Sequence, residues 1–444
     1  MTMLLLAVLA LCSQVLGETS VTVYSEGFGL VREIREVELE KGVNRLPFID
    51  VAARIDPTSV HFRSLTAPDK VELLEQNFEY DLVSPEKLLE KYIDQDITVR
   101  TEEGELSGKL LSSGQELVLE MPDGGVRVVR PEAIQTIVFP SLPQGLITRP
   151  TLVWEVECRK PGRHEVDVSY LTEGMGWHAE YVGVVGEKEG TMELSGWVSI
   201  DNRSGATYRD ALLKLVAGRP RRIKKVPPGP PRVAMEIMER RPERPFEERA
   251  FFEYHLYTLG RRTTLKDRQT KQISLFPGTR VPVEKEYTYD ALKDERHILV
   301  RLVFLNEKSS GLGFPLPAGK VRAYKRDRDG SLIFLGEDRI DHIPRDEKVE
   351  VAIGQAFDIV GERKVLEHKK IDDRAFEEQV QVVLRNHKEK KDITVQVVEH
   401  LWGDWEILKN THDWERKDAR TVVFPIWVPA KGRAELAYRV RYRW

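Results

Sequence analysis

The chain has very little cysteine, because Cys12 and Cys158 are the only two among its 444 residues. Cys12 lies in an N-terminal segment that we expect to be removed, which would leave Cys158 as the only thiol. One thiol cannot form an internal disulfide, so stability must come from packing. Cys158 ends a strand-like apolar run at residues 152–158. We therefore interpret it as a small buried residue and not as a nucleophile.

Neither sign of charge is in clear excess. The sequence has 68 Lys and Arg against 72 Asp and Glu, a net charge of -4. A nucleic-acid-binding protein shows a basic excess on one domain, so we expect no nucleic-acid partner. Charged residues still make up 32% of the chain, against a usual share of about 25%. This density fits the ion-pair networks of a thermophilic protein and equally an ordinary soluble surface.

The motifs of common enzyme classes are also missing. The sequence contains no Gly-x-Ser-x-Gly elbow, no His-Glu-x-x-His helix and no Cys-x-x-Cys pair. Residues 311–313 (GLG) precede Phe-Pro and not a helix, which argues against a phosphate cradle. We assign no catalytic residue, no cofactor and no metal. A carboxylate pair for glycoside hydrolysis stays open, since it depends on a separation across a cleft.

Long apolar runs are absent except at the N-terminus. Residues 4–11 are all apolar, and a polar chain follows Gly17. With Val15 and Gly17 at the expected cleavage site, residues 1–17 predict a secretory signal that is removed. The run is shorter than the roughly 20 residues of a membrane span, although retention of the leader as an anchor is the open alternative. We therefore expect an exported protein that is extracellular, periplasmic or on the cell surface.

Alternation of apolar and polar residues is the pattern that the chain has in abundance. Residues 30–39 and 165–170 alternate clearly, and turn signals such as Asp329-Gly330 recur along the chain. This rhythm predicts an all-β fold with several β-sandwich (immunoglobulin-like) domains and little helix. The clearest helix signal is Ser84 as N-cap followed by Pro85.

The same patterns predict the domain organisation. A small SH3- or Sm-like barrel is expected to interrupt the first sandwich. The expected segments are a signal peptide (1–17), a split N-terminal sandwich (18–84 and 141–218), the inserted barrel (85–140), a Pro/Arg-rich linker (219–245), a middle β domain (246–370) and a C-terminal immunoglobulin-like segment (371–444).

The composition changes abruptly at residues 219–245, which contain seven prolines and nine Lys or Arg against three Glu. Such a stretch predicts an extended, solvated linker. One interpretation is a hinge that stays soluble because it is charged. The other is an arm that contacts an acidic polymer or the lipid head groups of a membrane surface. The candidate arm residues are Arg219, Arg221, Arg222, Lys224, Lys225, Arg240, Arg241 and Arg244.

Two overlapping residue sets near the C-terminus have the chemistry of a binding site. The first has side chains that can bind a divalent metal, although the spacing matches no known ligand pattern. Its members are His400, Asp404, His412 and Asp413. The second would form a shelf on which sugar rings stack, although aromatic residues on strands are more often core anchors. Its members are Trp402, Trp405 and Trp414.

Several motifs resemble a known family. They are residues 321–327 (VRAYKRD), 335–342 (LGEDRIDH) and 351–358 (VAIGQAFD), with 77–85, 177–181 and 252–257 upstream. In these motifs the chain is similar to the secreted prokaryotic family known as domain of unknown function 4139. The resemblance implies an all-β secreted or envelope protein. It implies no reaction, because that family supplies no established catalytic residues.

Together these observations favour a protein that binds or scaffolds components of the cell envelope. The expected partner is an envelope protein or a polysaccharide. The rival hypothesis is a secreted hydrolase that acts on glycans through an unidentified carboxylate pair.

Overall fold

The computed structural model describes residues 15–444 except 81–82, 115, 142, 144–145, 147, 219, 221–245 and 252–253. Most of the predicted signal therefore lies outside the described residues, and so does the predicted linker apart from Pro220. All eight candidate arm residues also lie outside them.

The described part of the chain is built almost entirely of strands. The first half contains β1 (Val15–Tyr24), β2 (Phe28–Leu39), β3 (Gly42–Ile49), β4 (His61–Ser64), β5 (Val71–Glu79), β6 (Asp96–Thr101), β7 (Gly104–Ser113), β8 (Leu117–Glu120), β9 (Val126–Val129), β10 (Thr136–Val138), β11 (Thr151–Cys158), β12 (Gly162–Glu173), β13 (Met175–Val185), β14 (Thr191–Asn202) and β15 (Tyr208–Ala217). The second half contains β16 (Phe246–Phe251), β17 (Tyr254–Leu259), β18 (Thr263–Leu265), β19 (Gln269–Pro282), β20 (Glu284–Asp290), β21 (His297–Leu305), β22 (Gly319–Arg326), β23 (Leu332–Ile340), β24 (Lys348–Asp372), β25 (Ala375–Asn386), β26 (Ile393–His400), β27 (Asp404–Asn410), β28 (Glu415–Arg416), β29 (Thr421–Val428) and β30 (Arg433–Arg443).

Where the structure describes the chain, helices are few and short. The one α-helix among the described residues, α1 (Pro85–Lys91), begins as predicted, because the Ser84 hydroxyl accepts a hydrogen bond from Lys87 N at 3.2 Å. Single 3-10 turns lie at Pro57–Ser59, Pro68–Lys70, Pro131–Ala133 and Lys308–Ser310. Within the described ranges, no helix has the length and apolar character needed to cross a membrane. The prediction of an all-β fold is confirmed.

The chain divides into two compact units, of which the first comprises residues 1–176, 201–215 and 261–270. In this unit one sheet has the order β15-β1-β2-β12-β4, with β18 paired to β15, and a second has β11 between β3 and β5. After α1, strands β6–β10 form a separate five-stranded sheet in the order β10-β6-β7-β8-β9. That sheet has its own small apolar core, which includes Tyr92, Ile97, Val99 and Leu110.

A buried cluster around Cys158 could be mistaken for a catalytic one. Cys158 is 1% exposed, as predicted, and its sulfur lies 3.8 Å from His164 Nε2. His164 Nδ1 lies 3.0 Å from the Ser64 hydroxyl, and its Nε2 lies 2.7 Å from the Lys160 carbonyl. Because Ser64 and His164 are also only 1% exposed, a substrate cannot reach this group. Its role is to satisfy polar atoms inside the first unit.

The second unit comprises residues 177–200, 216–260 and 271–444. It contains a five-stranded sheet in the order β19-β14-β13-β22-β23 and a nine-stranded sheet in the order β27-β30-β25-β24-β21-β20-β26-β29-β28. The 25-residue strand β24 is antiparallel to β21 in its first half and to β25 in its second half. The boundary predicted at residues 370/371 therefore falls inside the β24–β25 hairpin, and one sheet contains strands from both sides of it.

Two sheets approach closely where β23 meets β24. A Cβ atom at Gly336 would lie 1.9 Å from the Ile353 carbonyl oxygen, and the φ angle of Gly336 is +156°. Asp338 fixes the same junction, since its Oδ2 accepts a hydrogen bond from Ala352 N at 2.8 Å. Gly336 therefore lets two backbones touch at a point where a side chain has no room.

The Asp329-Gly330 turn signal does mark a hairpin, whose loop spans residues 327–331. Strand β22 ends at Arg326 and β23 begins at Leu332. Asp327 N donates to the Ser331 carbonyl, and Gly330 N donates to the Asp327 carbonyl. Gly330 takes the left-handed φ of +87° that such a turn requires.

Candidate functional site

Among the described residues, a group of touching aromatic rings lies at one end of the nine-stranded sheet, and we call it the aromatic platform: Phe376, Trp402, Tyr442 and Trp444. Phe376 and Tyr442 are 8% and 2% exposed, whereas Trp402 and Trp444 are 46% and 61% exposed. Two buried rings therefore support two indoles that face solvent.

The strand pairing explains why these rings meet. Phe376 lies directly opposite Tyr442 across the antiparallel pair of β25 and β30, and their ring centroids are 5.0 Å apart. Trp402 lies in the turn between β26 and β27, followed by Gly403 with a φ angle of +64°. The backbone N–H of Trp444 donates to the Arg374 carbonyl at 3.1 Å. The backbone that carries Trp402 is thus fixed by a sharp turn, and the backbone of Trp444 is fixed by a hydrogen bond.

The rings contact one another in several geometries. Trp402 stacks on Tyr442 with centroids 4.8 Å apart and planes 11° apart. Phe376 lies at the centre, 5.2 Å from Trp402 and 5.6 Å from Trp444, and the two indoles are 5.9 Å apart. Offset and tilted pairs of this kind stabilise each other beyond their buried area. The platform is therefore preorganised.

A buried charged network lies in the same sheet. Glu399 is 3% exposed and accepts hydrogen bonds from Arg363 Nε at 3.2 and 3.0 Å and from the Tyr438 hydroxyl at 2.6 Å. Burial raises the pKa of Tyr438 well above its ordinary value, and the Glu399 carboxylate raises it further. Burial alone would lower the pKa of Arg363, but Glu399 and Tyr438 together outweigh it and raise that pKa. Arg363 and Glu399 therefore form a buried ion pair that the Tyr438 hydroxyl completes.

The turn that carries Trp402 follows a residue that is held by a polar contact with Asp290. His400 Nε2 lies 3.1 Å from Asp290 Oδ2, and Lys293 Nζ lies 3.3 Å from the same oxygen. Burial raises the pKa of Asp290, but the hydrogen bonds from His400 and Lys293 outweigh it, so the pKa is lowered. The other oxygen, Oδ1, is buried and has no partner among the described residues. His400 is therefore held in place two residues before Trp402 of the platform.

The structure separates the three tryptophans that the sequence grouped into a shelf. Trp402 belongs to the aromatic platform, whereas Trp405 and Trp414 contact each other at 5.9 Å and pack against the core of the nine-stranded sheet. The Arg416 guanidinium lies 4.2 Å from the Trp405 ring centroid. Trp405 and Trp414 thus have packing partners of their own.

The four residues with metal-binding chemistry are also distributed over different contacts. His400 pairs with Asp290, Asp404 begins β27 opposite Arg443, and His412 and Asp413 line a shallow cleft of about 410 Å³. In the part of the chain that the structure describes, no three His, Cys, Asp or Glu side chains come close enough to hold a metal ion.

A separate charged cluster surrounds Glu189 in a cleft of about 480 Å³. Lys285 and Lys325 both form ion pairs with its carboxylate, the second at 2.7 Å, and Lys391 lies 3.5 Å away. Burial raises the pKa of Glu189, but the two closer lysines outweigh it and lower the pKa to about 2. One carboxylate thus neutralises part of a dense group of ammonium charges.

This cluster predicts a pH-dependent effect of Glu189→Gln. Because the folded-state pKa is about 2, the carboxylate contributes its full stability above about pH 4.5 and loses it as the pH falls towards 2. After allowance for solvent screening we expect the variant to lose about 1 kcal/mol at pH 7. Urea unfolding at pH 7 and at pH 2.5 measures the difference in the free energy of unfolding between the wild type and the variant. This difference should shrink at the lower pH. Glu284→Gln, in the same cleft, is the control, and a difference that grows on acidification would contradict this account.

Comparison with known proteins gives a family and no activity. A family model described as a domain of unknown function, DUF4139, matches residues 166–401. No curated protein matches the chain significantly. The matched range contains the motifs between residues 321 and 358 that predicted this family. Since the match covers more than half of the sequence, the chain belongs to the DUF4139 family.

Proposed function

We propose that this chain is an exported, non-enzymatic binding protein of the cell envelope that holds a glycan on the aromatic platform. The observation that carries the proposal is the exposure of Trp402 and Trp444 above the buried rings of Phe376 and Tyr442. Export itself rests on the apolar leader at residues 1–17.

Sugar rings suit such a surface because one face of a pyranose presents C–H groups while its edge presents hydroxyls. The C–H face packs on an indole, which offers a large apolar area with a polar N–H at its rim. Two indoles at 5.9 Å provide a surface wider than one ring. A polymer with repeating sugar units therefore fits better than a small isolated ligand.

Preorganisation supports binding without large structural change. Trp402 is held by stacking on Tyr442 and by the turn that follows the His400–Asp290 pair. A side chain that is already ordered loses little conformational entropy when a ligand binds. The platform thus resembles a rigid recognition surface more than an adaptable loop.

Several charged residues near the platform are paired with residues of opposite charge. Lys370 pairs with Asp373 at 2.7 Å and Arg443 with Glu406 at 3.8 Å, and the His368 ring lies 3.1 Å from Glu378. A surface that recognises an anionic membrane would carry a net cluster of Lys and Arg. Paired charges favour a ligand with hydroxyls and little net charge.

The platform predicts that Trp402→Ala and Trp444→Ala weaken glycan binding about 10-fold to 100-fold each, because each removes one stacking face. Affinity electrophoresis of the full chain through gels containing purified envelope polysaccharides measures this. Trp427→Ala is the matched control, since Trp427 is 59% exposed on β29 of the same sheet and lies outside the platform.

Two outcomes would overturn the proposal. If the wild-type protein were retained by no polysaccharide, or if both variants migrated like Trp427→Ala, the platform would not be a glycan site. Release of reducing sugar ends from a retained polysaccharide would instead favour the rival, a secreted glycan hydrolase. Export is tested separately, by N-terminal sequencing of the protein recovered from the envelope and medium.

A further inference from the structure

A second group of polar and aromatic side chains lies on one face of the five-stranded sheet, and we call it the polar sheet face: His178, Glu180, Trp197, Arg322 and Glu337. The order β14-β13-β22-β23 brings their four strands side by side. All five residues belong to the second unit, and none of them is part of the aromatic platform. Three of the segments that resemble the family motifs contribute to this face, namely 177–181, 321–327 and 335–342.

The strand pairing places the charged side chains on the same side of the sheet. Val182 is paired with Arg322 across the parallel strands β13 and β22, and Arg322 is paired with Glu337 across β22 and β23. Glu180 lies two residues before Val182, so the period of two puts both on one face. The ion pair between Glu180 Oε1 and Arg322 Nη1, at 3.5 Å, agrees with this placement.

Trp197 reaches the same face from β14. The Ser199 hydroxyl donates to Glu180 Oε2 at 3.2 Å, and Trp197 lies two residues before Ser199 on the same strand. Residues two apart on a strand point to the same side of the sheet. The Trp197 side chain is 40% exposed, so an apolar ring lies next to the charged residues.

Glu180 is held in place and keeps one oxygen available. Its Oε2 accepts hydrogen bonds from Gln272 Nε2 at 2.8 Å and from the Ser199 hydroxyl. Its Oε1 lies 3.5 Å from Arg322 Nη1 and 3.8 Å from His178 Nε2, and both separations exceed an ordinary N–H···O hydrogen bond. The side chain is 18% exposed. Oε1 is therefore an ordered acceptor that a ligand hydroxyl can reach.

Arg322 supplies donors beside this acceptor. Its Nε donates to Glu337 Oε2 at 3.1 Å, and Lys320 Nζ donates to Glu337 Oε1 at 3.1 Å. A guanidinium has five N–H donors, so the bond to Glu337 leaves others for a ligand. Within this group of contacting side chains, two cations balance the carboxylates of Glu180 and Glu337. The face thus offers donors and acceptors side by side without an excess of either charge.

We propose that the polar sheet face is a second glycan site, which binds another stretch of the polymer held on the aromatic platform. The inference rests on the proposed function and names a further contact for the same ligand. A hydroxyl both donates and accepts, so neighbouring sugar hydroxyls can donate to Glu180 Oε1 and accept from Arg322. The C–H face of a pyranose packs on the Trp197 indole, which offers a large apolar area.

The spacing of the strands sets a lower limit on the size of the ligand. Trp197 and Arg322 lie on β14 and β22, which flank β13, so two strand spacings of about 4.8 Å separate them across the sheet. A ligand that contacts both residues is therefore larger than one pyranose ring. An apolar protein surface fits less well, because it would bury Glu180 Oε1 without a hydrogen bond.

Affinity electrophoresis of the full chain, in gels containing purified neutral polysaccharides of the envelope, tests this site. Trp197→Ala should weaken retention about 10-fold, because it removes one stacking face. Trp197→Phe should restore most of it, since a phenyl ring keeps an aromatic face. Trp427→Ala is the matched control, because Trp427 is an exposed indole on the nine-stranded sheet.

Glu180→Gln tests the polar half of the site. The amide oxygen can still accept from Ser199 and Gln272, while the amide nitrogen replaces the free acceptor with a donor, so we expect retention to weaken about 10-fold. If Trp197→Ala and Glu180→Gln both migrated like Trp427→Ala while the platform variants lost retention, this second site would be rejected and the proposed function would stand. A wild type that no polysaccharide retains would reject both.

A third result separates the two sites in the opposite direction. If Trp197→Ala and Glu180→Gln weakened retention while Trp402→Ala and Trp444→Ala did not, the polar sheet face would be the glycan site and the aromatic platform would not.

Discussion

Replacing Arg363 with leucine should lower the free energy of unfolding of the second unit by about 3–5 kcal/mol. Glu399 is only 3% exposed, and Arg363 and the Tyr438 hydroxyl both bind its carboxylate. Without the guanidinium, the carboxylate stays buried with one neutral partner. It must then either remain charged without compensation or bind a proton, and both cost free energy.

Urea unfolding at pH 7, followed through tryptophan fluorescence, measures this loss. Arg443→Leu is the matched control, because Arg443 and Glu406 are more than half exposed and 3.8 Å apart, and such a pair contributes less than about 1 kcal/mol. Arg363→Leu combined with Glu399→Leu should recover much of the stability, since no charge is then left buried. A single variant as stable as the control would show that Glu399 does not depend on Arg363.

Gly336→Ala should be comparably disruptive, with a loss of at least about 3 kcal/mol. The added Cβ would lie 1.9 Å from the Ile353 carbonyl oxygen, and Gly336 and the neighbours of Ile353 are paired within their own sheets. The Asp338–Ala352 hydrogen bond would be strained as well. The change therefore separates β23 from β24 instead of leaving a local defect.

Gly190→Ala provides the control for this substitution. Gly190 also lies in the second unit, and an added Cβ there would meet open space, so we expect a change within about 0.5 kcal/mol. Thermal unfolding of the three proteins gives the comparison. A Gly336→Ala protein with wild-type stability would mean that the two strands are less closely packed than the structure shows.

Local patterns were sufficient to predict the fold class and several details. Ser84 followed by Pro85 predicted α1, the apolar run before Cys158 predicted a buried thiol, and the motifs around Gly336 and Gly354 predicted the family. Each of these depends on residues that are close in sequence. Alternation alone, however, predicts a strand without naming its partner, because period-two patterns are the same in every sheet.

The aromatic platform illustrates what such patterns leave out. Trp402 was singled out from the sequence, but its partners Phe376, Tyr442 and Trp444 were not. Phe376 and Tyr442 meet only because β25 pairs with β30 in one particular register. Trp405 is close to Trp402 in sequence, yet it packs elsewhere. Long-range pairing therefore decided which tryptophans form one surface.

The predicted boundary at residues 370/371 lies within β24 for a related reason. Asp372 and Asp373 at the tip of the β24–β25 hairpin have the composition of a turn, and turns and interdomain linkers share the same polar residues. Only the hydrogen-bonding partners of β24 distinguish the two, and those partners lie on both sides of the boundary.

The parallel pairing of β20 with β26 bears on how the chain reaches its native state. Tyr287 pairs with Val395, and five strands intervene between the two in the sequence. Closing so long a loop costs entropy before any contact repays it, and topologies of this kind fold slowly. A newly made molecule would expose its apolar strands to solvent for longer than a helical protein of equal size. Its folding yield in cells should therefore depend on chaperones.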